Sequence, residues 1–228
     1  MWPLFRPMSV GYAAPQPRVD CGGGEGKDGL TGADIVGLVR LCNNCGNGGD
    51  GNGNGNNNIN GGNNANNGGF KGVYTAPQLE ALDAREVAPR KKKETRSIMV
   101  VNVGAHWVTI CLDAEFLLYL DSYGLPPGLP SVREFMHRCA MWMGVDTGEK
   151  MFYNGRRVQA WGSNYCGLFA VLWTLCLDMT SAEASADRRR AVEDAKIKFY
   201  HAKAKLRAND SLCARYVRKL GESNCESR

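Results

Sequence analysis

A thiol attacks carbon only as a thiolate, and a helix N-terminus, a neighbouring imidazolium and partial exposure all favour that form. Of nine cysteines, Cys166 is the one placed to have all three. It opens the run Cys166–Leu177, apolar on every side as a buried central helix would be, and Gly167 after it leaves room for a substrate backbone to approach. Cys111 and Cys176 fall inside apolar elements and Cys139 on a helix face. Cys21, Cys42, Cys45 and Cys225 lie in or beside stretches without pattern. Of the three histidines, His137 on a helix surface and His201 in a charged tail are most simply solvated. His106 precedes Trp107 at the start of a strand candidate, where a histidine is more often structural than catalytic. Asp121 closes the next strand candidate, however, and adjacent antiparallel strands would set its carboxylate beside the imidazole, fixing the tautomer and stabilising the imidazolium. Gln159 lies seven residues before Cys166, on a segment loosened by Gly162 and Ser163. Folded back, its amide would join the Cys166 backbone N–H in an oxyanion hole, a contribution of roughly 3–4 kcal/mol per donor. The ordered set His106, Asp121, Gln159 and Cys166 describes acyl transfer to sulfur followed by hydrolysis of a thioester.

The elements that must position this set can be read from periodicity. Ser97–Val103, Trp107–Leu112 and Phe116–Ser122 are strand candidates split by short polar breaks, which predicts an antiparallel meander. Thr31 and Asp34 have the spacing of a helix N-cap, with Ile35, Leu38, Val39 and Cys42 at helical intervals behind them. Phe70–Leu79 reads as an extended start followed by a short helical turn. Ser131 is the expected cap of a helix that places Phe135, Met136, Cys139 and Met143 on one side. A further extended pair is expected over 151–158, turning at Asn154-Gly155. Residues 1–29 mix Pro, Gly and charge and are expected to be a poorly ordered lead-in. Residues 43–69, almost wholly Asn and Gly, read as a disordered insertion, because they carry too little apolar area to offset the entropy of ordering. Residues 181–228 are expected to form a basic helical extension. Val192, Ala195, Phe199, Ala202 and Leu206 keep helical spacing there, Asn209-Asp210-Ser211 breaks it, and Leu212, Tyr216 and Leu220 resume it.

Composition narrows the class. A chain of 228 residues with 43% hydrophobic content supports one globular domain, here placed at 30–180, with appendages. An odd number of scattered cysteines argues for a reducing, intracellular compartment. The N-terminal residues lack the apolar core of a signal peptide, and no apolar run approaches the roughly 20 residues that span a bilayer, so no membrane association is expected. Cys42 and Cys45 have ligand-like spacing but no second pair, so neither metal nor cofactor is expected. Residues 187–228 hold twelve Lys/Arg against six Asp/Glu, which accounts for the whole net charge of +5. Such a face can follow nucleic acid or simply be solvated.

The order His-Trp, Asp-Ser-Tyr-Gly-Leu-Pro-Pro, Gln, then Cys-Gly-Leu-Phe resembles the adenovirus-type cysteine proteases (adenain-like), including relatives encoded by Maverick/Polinton elements and large DNA viruses. SUMO-type ubiquitin-like-protein proteases are a more distant branch with the same order. The Gln-to-Cys spacing is similar to the adenoviral branch. The segment at Asp121 is similar to the Polinton branch, since adenoviral enzymes have glutamate there. The resemblance covers about residues 97–179, with 30–42 and 70–82 as weaker matches. It implies an α+β, papain-like fold with the cysteine helix against a small antiparallel sheet. It further implies a virion-maturation endopeptidase that cleaves precursor polypeptides after small residues, in the host nucleus or the virion. DNA or a small peptide would be activator partners, the DNA on the basic tail. A ubiquitin-like deconjugase, or an inactive protease fold kept for DNA binding or structure, are the alternatives.

Overall fold

Ser97–Asn102 (β3), Trp107–Leu112 (β4) and Leu117–Asp121 (β5) are buried at nearly every position. A strand with one wet face alternates; strands buried throughout need cover on both faces. A computed structural model describes residues 5–7, 29–44, 69–89, 96–178, 199 and 203–222 of the chain, and it supplies that cover. The remaining elements are β1 (Phe5–Pro7), α1 (Gly32–Asn44), β2 (Phe70–Thr75), α2 (Ala76–Ala81), α3 (Ala84–Val87), α4 (Pro130–Met143), β6 (Met151–Asn154), α5 (Cys166–Asp178), a short 3-10 turn (Lys203–Lys205) and α6 (Leu206–Glu222). The six strands form one sheet in the order β1-β6-β5-β4-β3-β2.

The fold is α+β, and the central meander β3-β4-β5 is antiparallel as expected. The sheet as a whole is not the small antiparallel one anticipated, because β2 runs parallel to β3 and β5 parallel to β6. Parallel neighbours need a crossover connection, supplied here by α2 with α3 and by α4. On one face Met99, Val101, Val108, Ile110, Leu117 and Tyr119 pack with Phe135, Met136 and Cys139 of α4. On the other, Val100 meets α5 through Phe169, Ala170 and Leu172, backed by Ile35 and Val39 of α1 and by Cys213 and Val217 of α6. Fully burying each large apolar side chain in such a layer contributes about 1.5–3 kcal/mol.

Several local expectations need correction. Residues 5–7, read as part of a lead-in, pair antiparallel with β6. Only β6 forms in 151–158: β5 pairs along one of its edges and β1 along the other, so a returning strand has no edge to join. Leu129, not Ser131, caps α4, and Pro130 at the first helical position needs no backbone donor. Helix α6 runs unbroken through Asn209-Asp210-Ser211: the Asn209 and Asp210 side chains find partners outside the helix, and the Ser211 hydroxyl donates back to Arg207 O within it. It packs into the second core rather than extending from it. The Thr31–Asp34 cap is present in both directions: the Thr31 N–H and hydroxyl donate to Asp34 Oδ2 at 2.8 and 2.7 Å, and the Asp34 N–H donates to Thr31 Oγ1 at 3.2 Å. Residues 1–4 and 8–28 of the lead-in, 45–68 of the Asn/Gly tract, and 181–198, 200–202 and 223–228 of the basic segment lie outside the described residues. No helix among the described residues is long and apolar enough to cross a membrane.

Candidate active site

The β3–β4 hairpin sets His106. Its connection is closed by the Val103 N–H donating to His106 O at 2.9 Å, so His106 is the last residue before the ladder begins at Trp107. In that ladder Val108 faces Asp121, the final residue of β5. Register therefore places the carboxylate diagonally opposite the histidine, within reach of two side chains. The His106 Nε2 to Asp121 Oδ1 distance is 2.8 Å, and the two residues are 7% and 3% exposed. An ionised carboxylate can only accept, so Nε2 carries the donated proton and Nδ1 is left as the basic nitrogen of the neutral ring.

Asp121 is itself held in place. Its Oδ1 also accepts from the Tyr123 N–H at 2.7 Å. Asn154, at the end of β6, accepts from the Asp121 N–H at 2.7 Å and donates to Asp121 O at 2.6 Å. This paired side-chain contact carries the β5–β6 association beyond its last backbone pair, Tyr119 with Tyr153. Sequence reading treated Asn154 only as a turn residue; no local signal marks a bond that spans 33 positions.

Gln159 is fully buried. Its backbone N–H and that of Val158 both donate to Ser122 O, at 3.0 and 2.9 Å, which places the segment against the turn that follows Asp121. Its Oε1 accepts from the Ser122 hydroxyl. Its Nε2 donates to Ser163 O at 2.5 Å and to Tyr123 Oη at 3.3 Å. Both amide protons are thus engaged, and an oxyanion would have to displace one of these acceptors; the long Tyr123 contact is the weaker. Tyr123 links the groups: its ring stacks on His106 with centroids 4.9 Å apart, and meets the half-exposed Trp161 edge-on at 5.2 Å. Arg157 lies over Trp161 at 5.4 Å. The sequence carried Tyr123 only within the motif of the family resemblance and gave it no role in the site.

Cys166 is the first residue of α5, as expected, but at 5% exposure it is buried rather than partly exposed as the sequence suggested. A helix's first-turn N–H groups have no acceptor four residues back, so its N-terminus favours an anion. Two contacts fix this end of α5 against β4. Thr109 Oγ1 donates to Ala170 O at 3.2 Å. Leu30 bridges the two elements at these ends: its carbonyl accepts from Trp107 Nε1 at 2.9 Å, while a Cβ at Gly167 would lie 3.0 Å from Leu30 Cβ. The missing side chain of Gly167 therefore admits Leu30, not a substrate backbone as the sequence suggested. The neighbours of His106 and Cys166 in the chain thus share one contact residue.

The other described cysteines with placed side chains lie inside strands and helices, Cys111 on β4, Cys139 on α4, Cys176 on α5 and Cys213 on α6. Burial pushes the thiols of Cys111, Cys139 and Cys176 up to about 12, and that of Cys213 well up, which keeps them protonated at neutral pH. His137 is half-buried on α4, away from this set, and His201 lies outside the described residues. Among the described residues no group of three or more His, Cys, Asp or Glu is arranged to hold a metal; Cys45 and the Cys42 side chain lie outside them.

No protein-family model matches the chain, and no curated protein matches it. Among solved structures it is similar to the central domain of the uncharacterized Lpg1148 protein from Legionella pneumophila, at 16% identity over 66% of this chain and 88% of that one. The TM-score of 0.40 is too low for that likeness to carry an argument.

Proposed function

We propose that the protein is a cysteine endopeptidase of the adenain-like type, with Cys166 as nucleophile, His106 as base, Asp121 as its orienting partner and Gln159 as an oxyanion donor. The observation that carries this is the buried 2.8 Å His106–Asp121 pair at the end of the sheet where the cysteine helix begins. A carboxylate that fixes one ring nitrogen of a histidine, here Nε2, turns the other towards taking a proton from a thiol. The Cys166 proton passes to Nδ1, and Asp121 stabilises the imidazolium from the far side of the ring. The thiolate adds to the scissile carbonyl. The oxygen gathers charge against the Cys166 backbone N–H and the Gln159 amide, and the amine leaves with the proton from His106. Water then gives its proton to His106 and splits the thioester.

The papain-like fold, precursor polypeptides as substrates and a DNA or peptide activator follow from the motif resemblance and belong to the same proposal. The test is labelling by a peptide vinyl sulfone ending in glycine, with mass mapping of the modified residue. Modification of Cys166 in the wild type that disappears in His106→Ala supports the reading. Modification spread over several cysteines and indifferent to His106 overturns it. Reaction with ubiquitin-type probes in preference to precursor peptides would move the substrate class to deconjugation.

A further inference from the structure

Residues 158–163 form no helix or strand, yet buried backbone N–H and C=O groups must find partners. The turn after β5 supplies some: Ser122 O accepts from Val158 and Gln159. Helix α6 supplies others. Asn209 Nδ2 donates to Val158 O at 2.7 Å, and Asp210 Oδ1 accepts from the Ala160 N–H at 3.3 Å. These two bonds grip the backbone on either side of Gln159. Both residues are buried, Asn209 fully and Asp210 to 5% exposure, in a helix whose other faces carry Arg207, Arg215 and Arg218 in solvent. An acidic side chain and an amide are costly choices in such a place unless they answer backbone groups. The Ser163 hydroxyl, buried on the same segment, completes no hydrogen bond of its own and lies where it favours the ionised Asp210. Ser163 is also the residue whose carbonyl holds the Gln159 amide.

We infer that Asn209 and Asp210 are positioning residues for the oxyanion donor: helix α6 clamps the Gln159 segment against the Ser122 turn and so sets where the amide points. The inference rests on the proposed protease reading. Neither residue touches the reacting atoms; both act through the backbone at 158–160.

Two reagents separate this role from a merely structural one. A tripeptide aldehyde ending in glycinal forms a thiohemiacetal whose oxygen needs the oxyanion donors, whereas iodoacetamide reports only the thiolate. In the full chain, Asp210→Ala and Asn209→Ala should each weaken aldehyde inhibition about 10-fold, a misplacement effect, while Cys166 alkylation stays within about 2-fold of wild type. Asp210→Asn, which retains an acceptor oxygen, should restore aldehyde inhibition. Unchanged aldehyde inhibition in both alanine variants overturns the role. So does an equal fall in aldehyde inhibition and alkylation in both, since helix α6 would then only be holding the fold together. Failure of the protease reading shows instead in the wild type, as a Cys166 that iodoacetamide does not prefer over the other thiols, and it removes the positioning role as well.

Discussion

His106 and Asp121 stand at the end of a continuous ladder, whereas Gln159 stands on a segment with no ladder at all. The first pair is fixed by backbone register, because Val108 opposite Asp121 leaves the histidine one diagonal step away. Gln159 is fixed by hydrogen bonds from two distant places, the Ser122 carbonyl and hydroxyl on one flank and the Asn209 and Asp210 side chains on the other. On the proposed reading, the groups that hold the proton stand at strand ends, and the group that meets charge as it develops stands on a segment held by hydrogen bonds outside any ladder. On that reading the engaged Gln159 amide exchanges its Tyr123 partner for the substrate oxygen.

Substitutions can break or sharpen this contrast. The largest effect should come from the ladder side: His106→Ala is expected to lower peptide cleavage on the order of 10³-fold or more, with Asp121→Asn close behind because the ring can then adopt the wrong tautomer. Gln159→Ala should cost about 10²-fold in kcat, with iodoacetamide alkylation of Cys166 almost unchanged, which separates oxyanion support from thiolate formation. Gly124→Ala should destabilise the fold by about 2 kcal/mol or more, read by urea melting. Its φ is +71°, and a Cβ there would lie 2.6 Å from Arg157 N, on the approach to Gln159. Asn154→Ala should cost about 1–3 kcal/mol by stranding the Asp121 backbone groups, and lower activity through the histidine rather than through Gln159.

The smallest effect concerns pH. Burial raises the Asp210 carboxyl above its ordinary value, against the pull of Ala160, Ser163 and Arg207. The folded state therefore binds this proton more tightly than the unfolded state. The associated stability is present below the unfolded value and is lost as pH rises through the folded one. Wild type should consequently lose melting temperature relative to Asp210→Asn between about pH 4 and neutrality; a constant difference would mean that Asp210 is not held this way.

The same contrast explains what could be read in advance. Strand boundaries at Trp107–Leu112, the helix beginning at Cys166 and the Thr31–Asp34 cap are written in neighbouring residues, and each formed where expected. The parallel pairings of β2 and β6 were not legible, because a parallel partner leaves no turn signal in the chain. The Asn209-Asp210-Ser211 run has the composition of a break, yet it stays helical: Asn209 and Asp210 bind residues 51 and 50 positions away instead of their own backbone. Gly167 misled for the same reason. Its close neighbour is Leu30, a contact that no local spacing announces.

The most direct test is the pH dependence of Cys166 alkylation by iodoacetamide, mapped by mass spectrometry in wild type and His106→Ala. The account predicts a wild-type apparent pKa well below the roughly 8.5 of a free thiol, moving up towards that value or beyond it when the imidazole is removed. A wild-type Cys166 that titrates at or above about 8.5, with a profile unchanged in His106→Ala, would contradict it.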